Sequence, residues 1–224
     1  MNMDWQSRTE ALVGADTLER LRHTSVAVFG VGGVGSWCAE ALVRSGVWHL
    51  TLVDPDCVDA TNINRQLPAL HSTVGRPKVD VMRERLLDIN PEADIVARQE
   101  RYRAATSASF SLQEYDYVVD AIDSVADKME LILAACGPST LLSSMGAARR
   151  MDPLQVRVTE FWKVDGCPLA AKLRKRMRKA QRFPACKFKC VWSAELPKEG
   201  GDKGSMMPVT AAFGLTLASL VLKG

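Results

Sequence analysis

The string GVGGVG at residues 30–35 is built for contact with phosphate. Its first glycine permits a tight turn, the second leaves backbone N–H groups open to an anion, and the last lets a following helix pack closely, so Gly30, Gly32, Gly33 and Gly35 are all candidate contacts. Asp54 follows Gly35 by about the interval at which a strand-end carboxylate reaches ribose hydroxyls. TNINRQ at 61–66 and GRPK at 75–78 add the amides of Asn62 and Gln66, the guanidinium of Arg65 and the ammonium of Lys78. A dinucleotide needs little cationic help, whereas a triphosphate attacked at its α-phosphorus does. Arg65 and Lys78 also read as solvated residues, but a lysine at a helix start opposes the helix dipole, which favours a ligand role. Asp123 in DAIDS suits Mg2+, which commonly takes one or two protein carboxylates and completes its shell with water. The competing reading is that Asp123 or Ser124 caps the next helix.

The elements that must hold these groups alternate. Strand patterns at 25–29, 49–53, 94–97, 117–121 and 140–144 are separated by helical patterns at 36–44, 77–89 and about 125–136, with a helical approach at 16–23. The glycine string therefore lies between a strand and a helix, and Asp54 and Asp123 lie at the carboxyl ends of strands, where doubly wound sheets bind ligands. The fold class is α/β: a Rossmann-like doubly wound, mostly parallel sheet. Beyond residue 150 the pattern changes. Residues 154–161 alternate as a one-face-solvated strand, which suits an antiparallel C-terminal extension, and a basic helix, a strand-like FKCVWSAE, a Gly/Pro-rich loop at 197–208 and an apolar closing helix at 209–222 follow. The expected organisation is one domain over 1–224, with a nucleotide-binding core at 1–150 and a basic substrate-binding extension at 151–224.

A chain of 224 residues, 47% hydrophobic and 25% charged with net charge +3, is an ordinary globular composition. No apolar run approaches a membrane span and the N-terminus lacks a secretion signal, so a cytoplasmic protein with no membrane partner is expected. Its six cysteines, Cys38, Cys57, Cys136, Cys167, Cys186 and Cys190, then read as reduced thiols rather than a disulfide framework. CKFKC at 186–190 has no second pair and no nearby histidine, so no structural zinc is expected and Cys190 reads as a structural strand residue. His23, His49 and His71 show no pairing pattern.

Together GVGGVGS, LVDPDCVDATNINRQ, VGRPK, INPEA and DAIDS resemble the adenylating domain shared by ubiquitin-activating enzymes and the ThiF and MoeB proteins, over about residues 8–150. That resemblance implies a homodimer that binds ATP with Mg2+ and converts a carboxylate to an acyl adenylate. It places Asp54, Asn62, Arg65, Lys78 and Asp123 on ATP or its metal, and Arg8 of RTEALVG on the triphosphate of the neighbouring subunit. The chain departs from the ThiF and MoeB pattern in having no CxxC pairs and no cysteine in PKEGGDKGSMMP, which weakens a thiol relay. SRTE, VGSW, DAIDSVADK, QVRVTEFWKVDGCPLAAKLRKRMRK and CVWSAELP instead resemble the tRNA threonylcarbamoyladenosine dehydratase (TcdA) group along nearly the whole chain. That group implies ATP-dependent cyclisation of the modified adenosine beside the anticodon, and raises a sulfur-transfer partner, a cysteine desulfurase or its sulfur acceptor.

The residues bear on this separately. Residues 166–194 contain no Asp or Glu but nine basic side chains, among them Lys172, Arg174, Lys175, Arg176, Arg178 and Lys179, a surface suited to tRNA phosphates. A solvated basic face or a contact with an acidic protein is the alternative. Three other functions stay open: an adenylyltransferase for the Gly-Gly tail of a sulfur-carrier protein, an NAD-dependent oxidoreductase, which leaves Asn62, Arg65 and Lys78 without a task, and an RNA-binding module with an inert nucleotide fold.

Overall fold

A short run of β-branched residues, SVAVF, opens the sheet because such side chains pack well on a pleated surface buried on both sides. The computed structural model describes residues 5–200 and 204–224. In it β1 (Ser25–Phe29), β2 (His49–Val53), β3 (Asp94–Arg98), β4 (Tyr117–Asp120), β5 (Thr140–Ser144), β6 (Val156–Glu160) and β7 (Lys189–Ser193) form one seven-stranded sheet in the order β3-β2-β1-β4-β5-β7-β6. Every pairing is parallel except β6 with β7, in which Val156 faces Ser193 and Glu160 faces Lys189. The expected antiparallel extension is thus an edge strand on the same sheet.

Alternation along β1 assigns its two faces. Val26 and Val28 join one core with the helices α3 (Gly35–Arg44), α4 (Lys78–Ile89) and α7 (Met207–Leu222), through Leu42, Leu86 and Phe213. Ala27 and Phe29 join the other, with α5 (Val125–Ala135) and α6 (Pro168–Ala180), through Ile132, Leu173 and Met177. Two further helices, α1 (Ser7–Val13) and α2 (Ala15–His23), precede β1. α1 has no counterpart in the sequence reading, because SRTEALV buries none of its residues and so carries no apolar stripe.

Strand order reverses between β1 and β4, whose carboxyl ends diverge into the glycine string and into residues 121–124. Gly30 sits there at φ 89°, and a Cβ on it would come 2.7 Å from the Ala121 carbonyl oxygen, so only glycine allows the two loops to approach. The closing helix begins two residues earlier than expected, and its sixteen residues pack along α3. Of the loop expected at 197–208, residues 201–203 lie outside the described residues.

The thiols correct one expectation. Cys136 at the end of α5 is joined in a disulfide to Cys186 in the loop before β7, fifty residues later. No local spacing announces such a bridge, since the two positions meet only when α5 and β7 pack beside β5. Cys38, Cys57, Cys167 and Cys190 are free. Cys190 is fully buried on β7, and that burial pushes its thiol far above the ordinary range, in keeping with a structural strand residue.

Candidate active site

The reversal of strand order opens a cleft of about 560 Å³. Gly30, Gly32 and Gly33 line its floor beside the start of α3. The N-terminal turn of a helix directs unpaired N–H groups and positive dipole toward such a space, so an anion is stabilised there. Gly35 does not line the cleft; it faces the Gly30 carbonyl, where a Cβ would collide, so its task is packing.

Asp54 ends β2 and is 6% exposed. Its Oδ2 accepts the Val31 N–H at 2.6 Å and its Oδ1 the Asp56 N–H at 2.9 Å, so it clamps the glycine string to the β2 loop while lining the cleft. Burial pushes its pKa up, against the opposing charge of Lys78 and the two backbone donors. Lys78, also buried, is the first residue of α4, and its Nζ turns back to Asp56 Oδ2 at 3.0 Å. That contact offsets the unfavourable position of a cation at a helix start and leaves the ammonium on the cleft wall.

The TNINRQ segment folds as a 3₁₀ turn, Ala60–Asn62, pinned to α3: Trp37 Nε1 donates to the Arg65 carbonyl at 3.1 Å and Ser36 Oγ accepts the Leu67 N–H at 3.3 Å. Arg65 and Gln66 thereby reach the cleft. Arg65 Nη1 donates to the Thr61 carbonyl and Asn64 Oδ1, both at 2.9 Å, and the buried Oε1 of Gln66 has no hydrogen-bond partner among the described residues. Asn62 does not line the cleft; its Oδ1 accepts the Asp59 N–H at 3.3 Å in a reciprocal cap. Both groups had the same appearance in the sequence, and only the path of the turn separates them.

Across the cleft, the capping alternative is resolved. Ser124 caps α5, its Oγ accepting the Asp127 N–H at 3.5 Å, while Asp123 is exposed, lines the cleft and makes no hydrogen bond or ion pair among the described residues. Beneath it lies a pair the sequence reading missed. Asp120 and Lys128, both fully buried, meet at 2.9 Å, with Ser143 Oγ donating to Asp120 at 2.7 Å and Lys128 Nζ donating to the Ile122 carbonyl at 3.0 Å. Lys128 thus holds the loop that presents Asp123. Its signal was a lysine beside Met129, Leu131 and Ile132 on the buried side of α5.

The far end of the cleft belongs to residues after β5. Arg149 and Arg150 line it with Pro168, Leu169 and Lys172 of α6. Arg150 is 3% exposed and donates from Nε to the Glu195 carbonyl at 2.9 Å and from Nη1 to the Gly146 carbonyl at 2.5 Å, bracing that wall. Nothing in two adjacent arginines marks one of them as buried, so this pair was not among the residues singled out from the sequence. On α6, Ala170, Leu173 and Met177 face the core, and Lys172, Lys175, Arg176, Arg178 and Lys179 are exposed. Arg174 differs from these: its Nη1 donates to the Phe161 and Val164 carbonyls at 3.1 and 2.8 Å, which turns it inward. Arg8 is exposed on α1 and does not line the cleft of its own chain.

Residues 6–224, which hold the doubly wound sheet, the glycine-lined cleft and the basic helix α6, match the ThiF family. The chain belongs to the ThiF family. This ThiF family chain is 41% identical over 231 residues to the tRNA threonylcarbamoyladenosine dehydratase of Bacillus subtilis (strain 168), covering 97% of this chain and 91% of that protein. It superposes on the Escherichia coli tRNA N6-threonylcarbamoyladenosine dehydratase TcdA in complex with AMP at a TM-score of 0.92 and 38% identity, and on its complex with ATP at 0.91 and 37%; each covers 99% of this chain and 95% of the other. The molybdopterin-synthase adenylyltransferase of Escherichia coli is 35% identical over 68% of this chain and 59% of its own length. No helix among the described residues is long and apolar enough to cross a membrane.

Proposed function

We propose that the chain is an ATP-dependent dehydratase that adenylates the threonyl carboxylate of N6-threonylcarbamoyladenosine in tRNA and then cyclises it. The observation that carries this reading is the continuity of one cleft from the glycine string to Lys172 on the basic helix, so that nucleotide and a tethered nucleoside meet in one space. The tRNA dehydratase relatives, matched along nearly the whole chain, support the same substrate. The alternative, activation of a carrier-protein tail, is favoured by a relative that covers much less of the chain.

In this reading Gly30, Gly32, Gly33, Asp54 and Gln66 receive the adenosine and phosphates of ATP. Asp123 fits Mg2+ because it is an exposed carboxylate of the cleft with no partner among the described residues, and the ion would neutralise phosphate charge there. A carboxylate oxygen of the threonyl group attacks the α-phosphorus and pyrophosphate departs, while Arg65 and Lys78 stabilise the developing charge. An atom of the neighbouring carbamoyl group next attacks the acyl carbon and AMP leaves, which closes the ring. An internal nucleophile held beside the acyl carbon has a high effective concentration, so no thiol is required. Lys175, Arg176, Arg178 and Lys179 grip the tRNA backbone. The reading includes a homodimer in which Arg8 reaches the partner's triphosphate, consistent with its exposed position.

The test is mass spectrometry of nucleosides from threonylcarbamoyladenosine-bearing tRNA incubated with the protein, ATP and Mg2+. Loss of one water from that nucleoside is expected, and its absence without ATP or with Arg65→Ala. An unchanged nucleoside, with pyrophosphate still exchanging into ATP, would transfer the assignment to a carrier-protein tail.

A further inference from the structure

Beside the basic helix, four aromatic rings form a ladder that leads from the core to the surface. Phe188 and Phe161 stack at 5.0 Å and 18° and are 5% and 0% exposed. Phe161 meets Trp162 edge-on at 5.1 Å, and Trp162 meets Phe183 at 6.2 Å and 46°. The last two are 37% and 50% exposed. The buried half fixes the exposed half: Arg174 lies over Phe161 at 5.9 Å and its Nη1 holds the Phe161 carbonyl, while Glu160 caps the Trp162 N–H at 3.1 Å. The Trp162 backbone is thus fixed, and two large rings stand in contact at the surface at a cost in exposed apolar area.

Their surroundings indicate what covers them. The rings are flanked in sequence by exposed Lys163 and Lys187, and Phe183 follows α6 with its exposed Lys175, Arg176, Arg178 and Lys179. The carboxylates near them in the chain are engaged, Glu160 by the Trp162 N–H and Asp165 by the Gly166 N–H, and Arg182 beside Phe183 is paired with Glu130 of α5 at 2.7 Å. Aromatic faces set among free cations suit an unpaired nucleotide, whose base stacks while its phosphates meet the lysines. A protein partner for so basic a surface would have to be acidic and apolar at once. The helix places the platform at a useful distance. Residues 168, 169 and 172 line the cleft at the N-terminal end of α6, whereas Phe183 lies just beyond its C-terminal end. The thirteen residues between span about 20 Å.

We infer that Trp162 and Phe183 form a stacking platform for an unpaired base of the RNA loop whose modified nucleoside enters the cleft. This rests on the tRNA reading above and adds a contact that recognises a single-stranded loop, as distinct from phosphate charge. The experiment measures binding of an RNA hairpin with an anticodon-type loop, and of a fully paired RNA duplex, against salt concentration. Wild type, Trp162→Ala, Phe183→Ala, Trp162→Tyr and Lys179→Ala are compared, with melting temperatures taken in parallel. Trp162→Ala is expected to weaken hairpin binding about 5- to 150-fold, the range for one stacked base, with the slope of log K against log salt unchanged. Trp162→Tyr should restore most of that loss, the duplex should be unaffected, and Lys179→Ala should instead reduce the slope by about one. Wild-type hairpin affinity in both Trp162→Ala and Phe183→Ala, or an equal loss for hairpin and duplex, overturns the platform while leaving the tRNA reading intact. If the wild-type protein binds no hairpin at all, both fail together.

Discussion

Asp54 and Asp123 follow β2 and β4, the strands on either side of β1, yet their oxygens face different demands. Asp54 satisfies two backbone donors and is buried; Asp123 satisfies none and is exposed. Replacement of Asp123 by asparagine is therefore expected to leave stability within about 0.5 kcal/mol, as at other surface positions. Turnover should fall on the order of 10²-fold, with a steeper requirement for Mg2+, which a rate titration against the ion would measure. Asp54 has its effect on stability. Its pKa is raised in the fold by burial, so its contribution is fully present below the unfolded carboxylate value of about 3.9 and is lost as the pH rises through the folded value. Asparagine cannot ionise, so the destabilisation caused by Asp54→Asn should shrink as pH rises across the carboxylate range. Urea midpoints at successive pH values would check this, and a cost that grows with pH would contradict it. Asp54, Arg65 and Lys78 were legible as candidates for one cleft, which all three line, because strand ends and helix starts are visible in sequence. Asn62 was not separable from Gln66, since a single 3₁₀ turn decides which amide faces the cleft.

Among the elements, α7 shows how a distant helix shapes the phosphate end. A Cβ on Gly214 would lie 2.8 Å from Trp37 Cβ and 2.9 Å from the Cys38 nitrogen, so α7 and α3 approach with no room for a side chain. Overpacking of this kind typically costs about 1–3 kcal/mol. Gly214→Ala should lower stability by that amount and also weaken ATP binding, because Val34, whose carbonyl it would meet, borders the cleft. A chemical denaturation curve paired with ATP calorimetry separates the two effects. The strands and helices of the parallel core were legible because their apolar spacing is strong and each has a distinct start or stop. α7 was legible only as a closing apolar helix, since its nearly uniform apolar composition does not reveal which face meets α3. The inward turn of Arg174 was likewise hidden, since it sits in a run of basic residues and only the Phe161 and Val164 carbonyls distinguish it.

At the scale of the whole molecule, one sheet carries both the nucleotide end and the basic end, and the Cys136–Cys186 bridge ties α5 to the loop before β7. Closing a loop of fifty residues reduces the entropy of the unfolded chain by an amount worth about 4 kcal/mol in the chain-entropy model. Reduction, or Cys136→Ser, should therefore lower the unfolding free energy by roughly 2–4 kcal/mol, read from urea curves with and without reductant. Equal curves would show that the bridge contributes nothing to stability. The amino-acid sequence by itself determined the alternating α/β order, the glycine turn between β1 and α3 and the uncompensated basic helix, because each rests on neighbours within a few turns of chain. Tertiary structure alone decided the Asp120–Lys128 pair, the bridge, the aromatic ladder and the joining of Lys172 to the nucleotide cleft. The Asp120–Lys128 pair depends on how α5 packs back on β4, and the others on which strands lie side by side, so that residues far apart in the chain meet only when that order buries both faces of the sheet.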